Sequence, residues 1–174
     1  MACALTGSQS LDCKDSIGGI KELKIKAHPG LAEIEANFVF TSGSVTSIAS
    51  GSRSTWYTYQ MEKEQGSASD NPQPVPANGS LWFSQELKLI LNKMSARLNY
   101  EIQQLGKNRL IIAVRDMNDR YFIIGLKYGA DLTTATATTG AARGDRNGYD
   151  LTFIAKEDLP TQDISAAIWA TLVS

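Results

Sequence analysis

The chain of 174 residues has little of the chemistry that enzymes and metal sites use, since it contains one histidine and two cysteines. A histidine-based nucleophilic triad would depend on His28, which stands at the end of a predicted strand, and no Gly-x-Ser-x-Gly motif accompanies it. Cys3 and Cys13 are too few for a disulfide framework and lack zinc-ligand spacing. We therefore expect no catalytic centre, no cofactor and no metal, and we interpret both cysteines as ordinary thiols.

The chain has a net charge of only −1 and lacks a long apolar run. Its 17 Lys and Arg residues nearly balance its 18 Asp and Glu residues, so no overall field attracts it to nucleic acid or to an anionic membrane. No apolar run approaches the roughly 20 residues that cross a bilayer. The first residues, Met1-Ala2-Cys3-Ala4, do not form a basic segment followed by an apolar one. We expect synthesis in the cytoplasm and no membrane partner.

Motifs for phosphate and nucleic-acid binding are incomplete. The stretch Gly140-Ala141-Ala142-Arg143-Gly144 lacks the Gly-Lys-Ser/Thr ending of a phosphate-binding loop and does not lead into a predicted helix. The aromatic residues Trp56, Tyr57 and Tyr59 are not flanked by a lysine or arginine cluster. We set both functions aside.

Two short segments have a chemical interpretation and a simpler structural one. Asp116, Asn118 and Asp119 could ligate calcium, but the turn glycine and terminal glutamate of a calcium-binding helix-loop-helix are missing, so a hairpin turn is favoured. Arg143-Gly144-Asp145 spells a tripeptide of cell-adhesion ligands. Three residues recur often by chance, and we predict a turn there.

Most of the remaining chain alternates apolar and polar residues at period two, which is typical of half-buried strands. In one such run, around residues 33–40, the apolar residues face inward and Glu33, Glu35 and Asn37 face outward. The predicted strands cover residues 20–27, 34–40, 44–49, 56–61, 81–91, 110–114, 121–126 and 149–155. The last twelve residues fit a strand or a short helix.

One confident helix is predicted at about residues 92–105. Met94, Leu98, Ile102 and Leu105 form a single apolar stripe, and Gly106 follows as a C-terminal stop. A stripe of this width usually covers a sheet. The sequence therefore predicts a mainly β (α+β) fold with one flanking helix.

Two polar segments are predicted as long exposed loops. Residues 65–80 are rich in Gly, Ser, Asn and Pro, and residues 131–143 consist almost entirely of Thr, Ala and Gly. Long loops are uncommon in compact domains unless they have a function, and contact with a neighbouring subunit is one such function. The candidate inter-subunit residues are Pro72, Pro74, Pro76, Thr136 and Thr138.

The predicted organisation is an N-terminal arm followed by one domain. Residues 1–19 are small, polar and glycine-bearing, so we expect no packed structure there until a partner binds. Regular structure begins after Gly19, and residues 20–174 have the size and hydrophobic content of a single folded unit.

Four segments of the chain form a recognisable series: the opening Cys3-Ala4-Leu5-Thr6, the run from Leu11 to Glu22, the hairpin from Asp116 to Gly125 and the later segment from Gly140 to Phe153. Together they resemble virion structural proteins of tailed phages that infect Bacteroidota. These segments occur in the family's order and span most of the chain. At the place where the family would have a turn glycine after Asn118, this chain has Asp119.

The resemblance implies the tail tube of such a phage. It implies a β-sandwich or barrel with a flanking helix, six copies in a ring, and stacked rings whose channel passes DNA and ejected proteins without binding DNA specifically. The implied partners are copies of itself and other tail proteins, with a sheath as one option. The implied location is the virion tail, after synthesis in the bacterial cytoplasm. Glu33, Glu35 and Asn37 are the lumen candidates, and an ordinary solvent-facing surface explains them equally well.

Two other classes of function stay open at this point. The first is another virion ring protein, such as a tail terminator or a baseplate or hub ring, or the tube of a phage-derived contractile injection system. The second is a small β-rich ligand-binding module or an enzyme without a recognised motif. The second class predicts a stable monomer with a deep pocket.

Overall fold

A computed structural model describes residues 14–41 and 43–173, together with Gly7 and Gln9. Strands account for 48% of the structure and helices for 19%, which confirms the predicted mainly β fold. Cys3, Cys13 and most of the predicted N-terminal arm lie outside the described residues.

Eleven strands and three helices are present in the described part of the chain. The strands are β1 (Ile20–Ala27), β2 (Phe38–Thr41), β3 (Ser44–Ile48), β4 (Tyr57–Gln60), β5 (Gly66–Val75), β6 (Ser80–Asn92), β7 (Leu110–Asp116), β8 (Tyr121–Ile124), β9 (Ala130–Thr138), β10 (Gly148–Glu157) and β11 (Gln162–Ile164). The helices are α1 (Leu31–Asn37), α2 (Ala96–Lys107) and α3 (Ala166–Thr171), with short 3-10 turns at Ser50–Ser52 and Pro76–Asn78.

The strands form two layers that branch from β7. The back sheet has the order β4-β1-β7-β8-β11-β3-β2 and is antiparallel except for the parallel pair β11 and β3. The front sheet has the order β9-β10-β6-β5 and is antiparallel throughout. Strand β9 pairs with β7 only through Leu110 and Ala130. The two sheets therefore share one short junction.

One apolar core fills the space between the two sheets. Alternate residues of the back sheet, including Leu23 and Ile112, pack against Leu87 and Phe153 of the front sheet, and all four side chains are fully buried. Helix α2 packs against this core with Leu98, Ile102 and Leu105 of the predicted stripe, and Met94, which precedes the helix, packs there as well. The sequence expectation for the stripe is confirmed.

A second core lies on the other face of the back sheet. Ile111 and Ala113 of β7 pack there against Ile34 of α1 and Trp169 of α3. Trp56, which lies just before β4, belongs to the same core. Strand β7 is thus buried on both faces, which explains why residues 110–114 read as a continuous apolar run rather than an alternating one.

The predicted strand at residues 34–40 is wrong over its first half. Residues 31–37 form helix α1, and strand β2 begins only at Phe38. Ile34 and Phe38 are the two buried residues of this stretch, and their spacing of four places them on one face of a helix as well as of a strand. Good helix formers fill the positions between them.

The two predicted long loops are also wrong, because both are largely strands. Pro72 and Pro74 lie in β5, and Pro76 opens the 3-10 turn of the β5–β6 hairpin. Thr136 and Thr138 lie in β9. Proline is tolerated in β5 because this is an edge strand, and threonine favours strands at any level of burial.

The sequence predicted one confident helix where the structure has three, and it placed that helix a few residues too early in the chain. Helix α2 starts at Ala96, where Ser95 accepts a hydrogen bond from the N–H of Leu98 at 3.2 Å, and it continues past Gly106 to Lys107. Helices α1 and α3 were not predicted as confident helices. The C-terminal segment contains both of the expected alternatives, since strand β11 is followed by α3.

The chain passes from the back sheet to the front sheet at residues 125–129, which we call the corner. Gly125 has φ of 67°, and a Cβ added there would lie 2.5 Å from the backbone nitrogen of Ala130. The N–H of Gly125 donates to Oε1 of Gln85 on β6 at 3.0 Å, and Nε2 of Gln85 donates to the carbonyl of Leu159 at 3.1 Å. A buried side chain of the front sheet therefore holds the start of the corner.

Gly125→Ala should destabilise the protein by about 2 kcal/mol or more, because alanine disfavours a positive φ and its Cβ would meet backbone atoms. Gly144→Ala is the matched control, since Gly144 has open space around it, and its effect should stay within about 0.5 kcal/mol. Urea denaturation of both variants measures the difference. Equal stability of the two variants would contradict this account of the corner.

Candidate assembly surface

Among the described strands, the front sheet has two edges that no other strand covers along their length. Strands β10 and β6 each pair on both sides, whereas β5 pairs only with β6 and β9 pairs with β10 along its length. Beyond the single Leu110–Ala130 pair, no strand among the described residues covers the outer edge of β9. An unpaired edge presents a row of free N–H and C=O groups that can bind another strand.

The edge formed by β9 lacks most of the usual protection against pairing, and its one protective feature is the register shift opposite Thr152 and Phe153 of β10. Residues 133–138 are threonine and alanine only, without charge or proline, and all but Thr138 are exposed. Natural edge strands that stay unpaired usually carry lysine, proline or a bulge. Thr136 and Thr138, predicted as contact residues in a loop, lie instead on this accessible strand.

The edge formed by β5 is accessible over its first half. Residues 66–71 are small or polar, and Pro72 and Pro74 then remove two N–H donors. Asp70 is tied back to the fold, because its Oδ2 accepts a hydrogen bond from the N–H of Thr161 at 2.7 Å. The donors available to a pairing strand therefore lie mainly in residues 66–71.

The outer face of the front sheet is mainly polar, with Trp82, Ile90 and Ile154 as its apolar residues, and most of its charges are paired. Because side chains alternate along a strand, the residues between the buried ones of β6 and β10 point away from the core. Lys88 lies 2.9 Å from Glu86 in a salt bridge, and Arg146 pairs with Asp150. Nζ of Lys156 lies 5.7 Å from the ring centre of Trp82. The face therefore has little unpaired charge.

The proposed lumen residues lie elsewhere. Glu33, Glu35 and Asn37 belong to helix α1, which packs on the second core through Ile34. They do not form one face of a strand, because the alternation that grouped them belongs to a helix. The structure does not bring them together with the polar face of the front sheet.

His28 is bound to the backbone. Its Nδ1 accepts a hydrogen bond from the N–H of Gly30 at 3.0 Å, and its Nε2 lies 3.3 Å from the carbonyl oxygen of Leu126. Burial lowers the pKa of the imidazole. These contacts tie the end of β1 to the corner.

The acidic turn between β7 and β8 uses its side chains internally. Oδ1 of Asp116 accepts a hydrogen bond from the N–H of Asn118 at 2.9 Å. The Asn118 amide binds both the N–H and the carbonyl of Ile17, at 2.8 and 2.7 Å. Asp119 pairs with Arg115 at 2.7 Å, and this hydrogen bond lowers the pKa of Asp119. The turn fastens the chain just before β1, and the described residues contain no group of three metal-binding side chains.

Arg143-Gly144-Asp145 lies in the turn between β9 and β10, as predicted. Oδ2 of Asp145 accepts hydrogen bonds from the N–H groups of Ala141 and Ala142, both at 2.8 Å. These bonds lower the pKa of Asp145. The carboxylate therefore stabilises its own turn.

A groove separates strand β4 from helix α2, and we call it the β4–α2 groove. Its volume is about 830 Å³. Tyr57, one of the residues that line the groove, is 60% exposed. Tyr59, a second lining residue, is partly buried, and this burial raises the pKa of its hydroxyl to about 12. The residues that line the groove include Tyr57, Tyr59, Glu62, Leu91, Arg97 and Glu101.

Comparison with family models, with curated proteins and with solved structures finds no match to this chain. Within the described residues, no helix is long and apolar enough to cross a membrane. The two strand edges were missed by sequence reasoning because their residues are polar. The threonine content of residues 133–138 was the signal that could have identified β9.

Glu157, the last residue of β10, is a buried carboxylate that sequence reasoning did not single out. It is 2% exposed, and its Oε1 accepts hydrogen bonds from the N–H groups of Lys127, Tyr128 and Gly129 at 3.2, 2.8 and 3.2 Å. Burial raises the pKa of Glu157, and the three N–H donors oppose that shift. This side chain holds the corner against the end of the front sheet.

Glu157→Ala should destabilise the fold by about 3 kcal/mol, because three backbone donors lose their acceptor and that of Gly129 is fully buried. Glu157→Gln keeps the oxygen and should cost much less. Glu35→Ala, at an exposed position of α1, is the control and should change stability by no more than about 0.5 kcal/mol. Urea midpoints of the three variants give the comparison, and an alanine variant as stable as the glutamine variant would overturn this role.

The stability of the wild type relative to Glu157→Gln should fall as the pH rises from about 4. The fold raises the pKa of this carboxyl, so the folded chain binds the proton more readily than the unfolded chain. The stability that this difference contributes is lost as the pH rises through the raised pKa. Denaturation of both proteins between pH 4 and 8 tests the sign. A relative stability that increases over this range contradicts the prediction.

Proposed function

We propose that this chain is the structural subunit of a phage tail tube, in which six copies close a ring and stacked rings form the channel for DNA ejection. The observation that carries the proposal is the front sheet with two unpaired edges on opposite sides. The segment resemblance to virion proteins supports the same function. In this role the protein acts by assembly and performs no catalysis.

The strand directions in the front sheet suit ring closure. Four antiparallel strands alternate in direction, so β9 and β5 run opposite to each other. Rotation about a ring axis keeps the direction of each strand along that axis, so β9 of the next copy would meet β5 in antiparallel pairing. A head-to-tail contact of this kind closes when the rotation divides a full turn. Ring closure would also remove both edges as sites of aggregation.

The outer face of the front sheet suits the lining of a DNA channel. If the front sheets join edge to edge, one face of each is covered by its own core, and the polar face with Lys88, Asp150 and Thr152 is left to line the lumen. Charge pairing on this face limits attraction to phosphates, which suits transit without specific binding. These residues replace Glu33, Glu35 and Asn37 as our lumen candidates.

The back of the molecule would then face outward. Helices α1 and α3 and strands β2 and β3 cover the second core on that side. Glu33 and Glu35 are exposed there. This surface is the one available to other tail proteins, including a sheath.

The first test is negative-stain electron microscopy of the purified full chain at high concentration. Hollow tubes are the expected result. Isolated rings that do not stack would favour another ring protein of the virion, such as a tail terminator. A monodisperse monomer that does not assemble even when seeded with virion parts would overturn the proposal.

Proline substitutions on β9 test the edge directly. Neighbouring N–H groups of a strand point to opposite sides. Of the two variants Thr134→Pro and Ala135→Pro, one therefore removes a donor to β10, and the other removes a donor at the open edge. The variant at the open edge should keep its melting temperature within a few degrees and should form no rings, while the other should lose stability.

Thr139→Pro, in the turn after β9, is the matched control and should assemble like the wild type. Melting curves and electron micrographs separate folding from assembly. Ring formation by both proline variants on β9 would exclude this edge from the interface.

A further inference from the structure

The β5–β6 hairpin projects beyond the rest of the front sheet. Pairing between β6 and β10 ends at Phe83 and Glu157, so the residues that follow toward the turn have only each other as ladder partners. We call residues 73–81 the hairpin tip. All of them are exposed except Val75, which is half-buried, and Leu81 is 55% exposed.

The hairpin tip is uncharged and conformationally restricted. None of residues 73–81 is Asp, Glu, Lys or Arg. Pro72 and Pro74 lock the backbone of β5, Pro76 starts a 3-10 turn, and Gly79 completes it with φ of 62°. A segment with few accessible conformations loses little entropy when it binds a partner. The tip is therefore suited to insertion into a preformed recess.

The β4–α2 groove is a recess at the β4 edge of the back sheet. Tyr57 and Tyr59 line one wall beside the outer edge of β4, which pairs only with β1 among the described strands. Aromatic side chains offer a partner a large apolar contact area together with a polar hydroxyl. The groove also contains Glu62, Arg97 and Glu101. An uncharged tip introduces no further charge that would have to lose its water.

The tip and the groove lie at opposite ends of one strand. Leu81 belongs to the tip and Leu91 lines the groove, and both are residues of β6. Ten residues of extended chain separate them, which is roughly 33 Å. The tip cannot reach the groove of its own copy, so any contact between them joins two copies.

We propose that the hairpin tip of one copy seats in the β4–α2 groove of a second copy stacked on it along the direction of β6. The inference rests on the proposed tube function and assigns the contact between successive rings. Because the tip and the groove are different surfaces, the contact is head-to-tail and leaves a free tip and a free groove at the two ends of any stack. The stack can therefore grow in one dimension.

Leu81→Asp tests the axial contact. A charge introduced at the tip would lose water on insertion, so stacking of rings should fall by about tenfold or more while single rings still form. Val39→Asp is the matched control, because Val39 is 57% exposed on β2 and lies outside both the tip and the groove. The control should form tubes like the wild type.

The outcomes separate the two proposals. Tubes of wild-type length from Leu81→Asp overturn the axial contact and leave the tube function intact. Absence of rings and tubes in the wild type overturns the tube function itself. Isolated rings from Leu81→Asp together with tubes from Val39→Asp support both.

Cross-linking identifies the occupant of the groove. In a Cys3→Ser, Cys13→Ser background, the pair Leu81→Cys and Glu101→Cys should give a ladder of covalent oligomers with a short bismaleimide, because each copy offers one tip and one groove. Leu81→Cys alone should give no species beyond a dimer. Identical patterns for the pair and the single variant would overturn the proposal.

The chain's own N-terminal arm is the competing occupant. Glu101→Cys with both native cysteines retained tests it, because Cys3 or Cys13 in the groove would form an intrachain cross-link. Monomers that cross-link internally, with no ladder from the cysteine pair, would overturn the tip as the occupant.

Discussion

The carboxylate of Glu157 fixes how the two sheets of this protein meet. It stands at the end of β10 in the front sheet and accepts the N–H groups of the corner through which the chain leaves the back sheet. Without this acceptor, three backbone donors would lose their partner, and that of Gly129 is fully buried. The corner leads directly into β9, which pairs with β10 along its length and with β7 through a single residue pair.

The position of β9 explains why the apolar cores are enclosed while the edges of the front sheet are left unpaired. Strand β7 is enclosed on both faces by two apolar cores, so the interior needs no partner. Among the described residues, the front sheet ends on both sides in polar strands whose free backbone groups are available to pair with another strand. The proposed ring uses these margins, and the proposed stacking uses the two ends of β6.

Local patterns identified the elements that pack a large apolar face. Strands β1 and β6, the β7–β8 hairpin and helix α2 were all predicted, because their apolar residues repeat at one period over a full element. Helix α1 was mistaken for a strand, since Ile34 and Phe38 are four residues apart and satisfy both periods. Strands β5 and β9 were mistaken for loops, because an edge strand is stabilised by backbone pairing and requires few apolar side chains.

The sequence by itself determined the mainly β class, the apolar faces of the cores, the turn at residues 117–120 and the scarcity of histidine and cysteine. Only the tertiary structure decided which strands lie at the edges, that the proline-rich segment projects, and that a groove lies at the opposite end of β6. The physical reason is that strand pairing joins backbone groups far apart in the chain. Composition indicates which side chains can be buried. Strand order depends instead on which distant N–H and C=O groups pair with each other and which remain unpaired.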